Sequence, residues 1–224
     1  MSFSQLFQVL VVSIAAVASL STQAATDTHY VTLADARMAT THEGRQQLKY
    51  LASCALNENM VLTAEHQGER LEFPGGLGLA PQWFERAMTE QEQRWISACM
   101  LARTNFFGTK VMLSMRSDFP SQAPGLQTWR EEDAAYTLEE ATFFGNLFTD
   151  RPVAYVCGPE QTPERRANLT AQRRVCALPD AQGITACRMI YVGACSAQNY
   201  RQNGQAYEEA ISIFLPPQAT PATP

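Results

Sequence analysis

Charge is sparse in this chain. Asp, Glu, Lys and Arg make up 17% of its 224 residues and sum to −5. That mildly acidic balance argues against nucleic acid or an anionic membrane as the main partner. Histidine is rarer still: His29, His42 and His66 lie far apart without metal-ligand spacing, which argues against a histidine zinc site. There is no CxxC pair, no GxSxG and no Gly-Lys-Ser/Thr behind a glycine run. Those gaps remove the usual zinc frameworks, the serine nucleophile elbow and the phosphate loop. No apolar stretch reaches the roughly 20 residues that span a bilayer, and no internal repeat is present.

What apolar sequence there is at the start suggests a compartment. Leu6 to Leu20 is interrupted only by Gln8, Ser13 and Ser19, and Thr22-Gln23-Ala24 places small residues at a cleavage position. Residues 1–24 therefore read as a secretory signal peptide. The usual Lys or Arg before the run is missing, and an anchoring helix is the alternative. No cysteine follows the run until Cys54, which argues against lipid attachment at a processed N-terminal cysteine, and once the run is cleaved off no stable membrane insertion is expected. About 200 residues remain, enough for one domain with its own core over 25–215. Residues 216–224, rich in Pro and Thr, read as a disordered tail.

All six cysteines fall in the mature part, and an even count in an exported chain favours three disulfides over metal. Geometry selects among the pairings. With Arg188 to Gly193 as a strand, Cys187 and Cys195 stand about 26 Å apart at strand rise. A disulfide needs Cα atoms within about 7 Å. Cys176 and Cys187 instead close the turn-like Leu178–Gly183 segment, Cys157 pairs with Cys195, and Cys54 with Cys99 joins two helices. Full pairing also leaves no free thiolate for a cysteine–histidine nucleophile.

The central segment runs from Thr89 to Arg116. Thr89 and Glu92 form a capping box, and Trp95, Ala98, Cys99, Ala102 and Phe106 follow on one helical face. Gly108 reads as the helix stop and Lys110 to Met115 as a strand. Leu33 to Asn57 is largely helical. Met60–Ala64 and Arg70–Phe73 flank a turn as a hairpin. The glycine-rich 74–81 segment reads as a structural loop, followed by a short helix over Pro81–Arg86. Ser117 to Arg130 is a long surface loop. Phe144, Leu147 and Phe148 have helical spacing, although Gly145-Asn146 weakens a helix there. Pro152–Cys157 is a strand, Pro163–Arg174 a polar, Arg-rich surface helix, Arg188–Gly193 the best strand of the C-terminal half, and Ala210–Leu215 the last strand. The result is an α+β domain with two core helices on a small, mostly antiparallel sheet.

Polar chemistry concentrates around two segments. Glu139 and Glu140 lie among aromatic residues, where desolvation raises a carboxyl pKa. Glycan hydrolysis needs one protonated and one ionised carboxyl across a cleft. The alternative is that one of them is solvated and the other forms a buried pair with Arg103 or Arg116. Arg103, Asn105, Arg116 and Asn146 are the candidate binding residues; if the central strand pairs near Leu138–Phe148, Arg103, Asn105 and Arg116 converge on a polar pocket, and a structural ion-pair network would use the same residues. No cofactor motif is present.

The runs Ser53-Cys54-Ala55-Leu56, Phe73-Pro74-Gly75 to Gly78-Leu79-Ala80-Pro81-Gln82-Trp83, Gln93 to Cys99, Leu101 to Asn105, Phe144 to Phe148 and Arg188 to Cys195 resemble those of an uncharacterised family of exported bacterial proteins. The resemblance spans about residues 45–215. It implies export and a shared cysteine framework, and it implies no activity. The expectation is an exported binding or accessory protein that acts on a small molecule or a cell-envelope component. The alternative is a secreted hydrolase of a glycan or envelope polymer with Glu139 or Glu140 as acid/base.

Overall fold

The computed structural model describes residues 29–32, 36–117, 126, 130–196, 198 and 200–217. The expected signal peptide, most of the expected tail and most of the Ser117–Arg130 loop lie outside the described residues. In chain order the elements are β1 (His29–Thr32), α1 (His42–Ala55), β2 (Met60–His66), β3 (Glu69–Pro74), α2 (Glu90–Arg103), β4 (Ser114–Arg116), α3 (Arg130–Ala135) and β5 (Leu138–Asn146). They continue with β6 (Val153–Cys157), α4 (Pro163–Ala171), β7 (Ile190–Tyr191), β8 (Arg201–Gln202), β9 (Gln205–Ala206) and β10 (Ile211–Leu215). Three sheets form, in the orders β1-β2-β3, β4-β10-β5-β6-β7 and β8-β9, and the pairings are antiparallel except β1–β2 and β6–β7. The domain is α+β and disulfide-stapled. Helix α2 lies across β5 and β10, and α1 packs on α2 and on β3.

Helix α2 starts where its chemistry requires. Glu92 N–H donates to Thr89 Oγ1 at 3.2 Å and Thr89 N–H donates to Glu92 Oε2 at 2.7 Å, so both side chains satisfy free donors of the first turn. Arg86 adds a two-pronged ion pair to Glu92, which lowers that carboxyl to about 2. Ile96, Ser97, Ala98, Cys99 and Ala102 are fully buried, so the helix is enclosed on more than the single face that periodicity suggests. The sheet takes one side, and α1 takes another through the Cys54–Cys99 bond.

The glycine-rich loop has a specific structural task. The N–H groups of Gly76, Leu77, Gly78, Leu79 and Ala80 donate to the carbonyls of Leu56, Ser53, Leu56, Cys54 and Ala55 in turn. These carbonyls belong to the last turn of α1 and the residue after it, which have no donor within the helix. A Cβ on Gly75 would lie 2.1 Å from the Asn57 carbonyl oxygen, and one on Gly76 would lie 2.8 Å from that of Ser53. Glycine is required because backbone meets backbone.

Several local expectations are corrected. Helix α2 stops at Thr104, which is extended, and Gly108 (φ +64°) instead makes a separate turn by donating to the Asn105 carbonyl. Phe106 therefore leaves the helical face and is 59% exposed. Pairing in the following segment begins only at Ser114. Pro81–Arg86 makes turns and no regular helix. The helical spacing of Phe144, Leu147 and Phe148 is overridden by β5: Phe143 faces the main core while Phe144 joins Tyr155 and Tyr207 on the opposite side. Gly145 there has φ +144°, and its Cα lies so near β6 that a Cβ would meet the Val153 oxygen at 2.2 Å. Of Arg188–Gly193 only Ile190 and Tyr191 pair, because Arg188 turns the chain at φ +62°. All three expected disulfides are present, Cys54–Cys99, Cys157–Cys195 and Cys176–Cys187.

The Cys54–Cys99 bond closes a loop of 45 residues between the core helices. Chain entropy assigns such a crosslink about 4 kcal/mol, so a C54A/C99A variant should melt about 10 °C lower by calorimetry. The Glu92 carboxyl contributes stability that is complete above its unfolded value of 4.5 and is lost as pH falls toward its folded value of about 2. Urea unfolding at about pH 6 and about pH 3 should show Glu92→Gln to be less acid-sensitive than the parent.

Candidate functional site

The bulge in β5 aims its buried acid. Ile213 pairs with Ala141 but Phe214 with Glu139, so Glu140 is the extra residue in the ladder. Ala141 and Phe143 face the main core and Phe144 the far side. Strict alternation would send Glu140 to the far side with Phe144. The bulge breaks that alternation, and Glu140 meets Arg174, which sits at the C-terminus of α2. Arg174 Nε donates to Glu140 Oε2 at 2.7 Å, Nη2 to the Ala102 carbonyl at 2.8 Å and Nη1 to the Thr104 carbonyl at 3.0 Å. Glu140 is 0% exposed and Arg174 1%. Burial pushes the Glu140 carboxyl up, and the guanidinium opposes it. Arg174, expected on a surface helix, is thus an internal cap.

The other expected site residues separate. Glu140 pairs with Arg174 and with neither Arg103 nor Arg116. Glu139 is half-buried on the edge of the bulge, and its carbonyl, like that of Glu140, accepts from Arg165. Arg116 lies over the Phe214 ring at 3.9 Å, donates to the Tyr136 carbonyl and pairs with Asp133 at 3.2 Å, away from the end of α2. Asn146 is buried, with Oδ1 accepting from Phe148 N–H and Nδ2 reaching Gln93, so it closes the turn after β5. Arg116 therefore does not join Arg103 and Asn105 in one pocket.

Arg103 and Asn105 do sit together, in a cleft. One part, of about 500 Å³, lies between α1 and the end of α2, with His42, Gln46, Tyr50, Met100, Thr104 and Leu147 in its wall. A second part, of about 280 Å³, is lined by Arg103, Thr109, Lys110, Val111, Leu113 and Arg174. Tyr50 and Asn105 belong to both walls. No carboxylate lines either part among the described residues. Arg103 donates from Nη1 to Ser53 Oγ at 2.5 Å and from Nε to Met115 Sδ at 3.4 Å. Among the described residues it has no carboxylate partner, and burial lowers its pKa.

The loop beyond α2 supplies residues that no motif marked. Asn105 Oδ1 accepts from Phe107 N–H, which leaves its Nδ2 turned away from that bond, buried and unpaired. Thr109 Oγ1 is likewise buried without a partner. Val111 and Leu113 pack on the core, which anchors the loop and leaves Lys110 and Met112 exposed between them. Tyr50 and Gln46 lie on the polar side of α1, away from the stripe of Leu48 and Leu51, where composition distinguishes no ligand from plain water. Among the described residues no group of His, Cys, Asp and Glu is placed to hold a metal ion, and no helix is long and apolar enough to cross a membrane.

Removing Arg174 alone strands a buried carboxylate and exposes the end of α2 to an empty site. Arg174→Met should cost about 3–5 kcal/mol in urea unfolding, and an E140L/R174M pair should recover part of that loss. Compared with known proteins, the chain matches no family model, no curated protein and no solved structure.

Proposed function

We propose that this is an exported binding protein that holds a small molecule in the cleft between α1 and the end of α2. The observation that carries the reading is the cleft itself. Its larger part, at about 500 Å³, falls within the size range of small-molecule sites, roughly 300–1,000 Å³. Its wall combines an apolar floor from Met100 and Leu147 with polar groups from Gln46, Thr104 and Asn105. The mixture suits a ligand of mixed polarity. Export is supported by the apolar N-terminal run and by three disulfides, which fit an oxidising compartment. The motif resemblance to exported bacterial proteins points the same way.

Binding is favoured over hydrolysis by where the carboxylates lie. A glycan hydrolase needs two of them facing a cleft about 5–10 Å apart. Glu140 is committed to Arg174, and the cleft walls contain no acid among the described residues. A thermal-shift screen of the disulfide-intact protein against small metabolites and envelope polymer fragments should find small-molecule stabilisers. Tyr50→Ala, at the junction of the two parts, should weaken the best of them about tenfold or more. Release of new reducing ends from a polymer, lost in Glu140→Gln, would establish the hydrolase instead.

A further inference from the structure

We infer that the smaller part of the cleft is an oxyanion subsite, built to take the carboxylate or phosphate of the bound molecule on Arg103 and Lys110. The inference rests on the cleft reading and names the chemistry of its ligand.

Arg103 is the principal reason. Arg103 is partly buried, and a guanidinium withdrawn from water is normally matched by a carboxylate, because an uncompensated internal charge is costly. Arg103 has a serine hydroxyl and a thioether instead. Among the described residues its Nη2 has no acceptor, yet it is not among the atoms sealed from solvent, so it keeps two donors for the cleft. Arg94 has Glu209 and Glu90, Arg174 has Glu140 and two carbonyls, and Arg165 has two carbonyls although its Nε is buried without a partner. Among the described residues Arg103 has neither a carboxylate nor a carbonyl, and it lines a cavity together with the exposed Lys110.

The surroundings support the same reading. Arg174 lines the same cavity, and its charge is already compensated by Glu140, so the local balance remains positive. The whole chain carries −5, but no acid lines this cavity or the adjoining surface hollow formed by Thr109, Lys110, Gln172 and Arg173 among the described residues. Asn105 Nδ2 and Thr109 Oγ1 are buried in the wall without acceptors, so the wall is short of acceptor groups. An oxyanion supplies several acceptor oxygens, and the planar fork of an arginine matches carboxylate and phosphate alike. The remainder of the ligand then extends past Tyr50 into the larger, more apolar part.

The test uses inorganic phosphate and acetate as probes, titrated at constant ionic strength against chloride, with the disulfide-intact protein and melting temperature as readout. At least one probe should give a saturable rise, and which of the two does so separates phosphate from carboxylate recognition. Arg103→Met should bind that probe about tenfold or more weakly. It should also melt at or above the unliganded parent, because it relieves an uncompensated charge, whereas an arginine kept only for packing would lower the melting temperature when removed. Lys110→Met, at an exposed position, should weaken the probe a few-fold without changing the fold, and it carries the test if Arg103→Met does not fold. A shift that persists unchanged in both variants overturns the subsite. So does a parent that neither anion shifts while a neutral molecule from the screen does, and in that case the cleft reading stands. A parent that no ligand shifts overturns both.

Discussion

Helix ends are the constraint on which this domain depends. Each helix finishes with carbonyls that have no donor within it, and the last carbonyls of both core helices are met by donors from elsewhere in the protein. Neither uses a glycine immediately after its last turn. Helix α1 is closed by a strip of backbone N–H groups from the glycine-rich loop, and α2 by a single guanidinium delivered from beyond α4. Both solutions are long-range. They tie β3 to α1, and the segment after α4 to α2, more tightly than apolar contact alone would require.

The second solution explains the buried ion pair. An arginine brought in to cap α2 carries a charge that must be neutralised where it lies. Glu140 does this only because β5 has one residue too many at the bulge. Cap, bulge and ion pair are therefore one arrangement. The pairing itself contributes little net stability against an apolar alternative, and its value lies in fixing where α2 stops. That stop sets the course of the chain through Asn105 and Thr109, and hence the wall of the cleft.

Much of this was readable from residues, and the exceptions have a common cause. The capping box at Thr89 and Glu92 is local, and it formed as its spacing indicates. The three cysteine pairs followed from parity and reach. That one of Glu139 and Glu140 would be buried against an arginine was legible from the aromatic residues around them. The identity of that arginine was not, because it depends on a ladder irregularity set by β10, some seventy residues away. Leu138 to Asn146 misled for a related reason. A strand covered on both faces shows no alternation, so its apolar residues carry no period with which to oppose a helical one. Arg103 and Asn105 were marked by position at a helix end. Tyr50, Lys110 and Thr109 carried no mark, since only the folded chain brings α1 and the loop after α2 together.

The neighbours of the Cys54–Cys99 bond give the cleft a mechanical character. Ser53 accepts from Arg103, and the next residue, Cys54, is bonded to Cys99, one turn before Arg103 on α2. Two short pieces of helix, one covalent bridge and one hydrogen bond thus close a small ring. Arg103 is a long side chain that would otherwise sample many rotamers, but as a member of that ring it has few left to lose. Rigidity of this kind lowers the ordering cost that usually opposes association. It also makes the guanidinium's position dependent on oxidation: in a reducing environment the ring opens at the sulfur atoms, and the same residues are held more loosely. The disulfide that staples the core is in this sense also a tuning element of the cavity beside it.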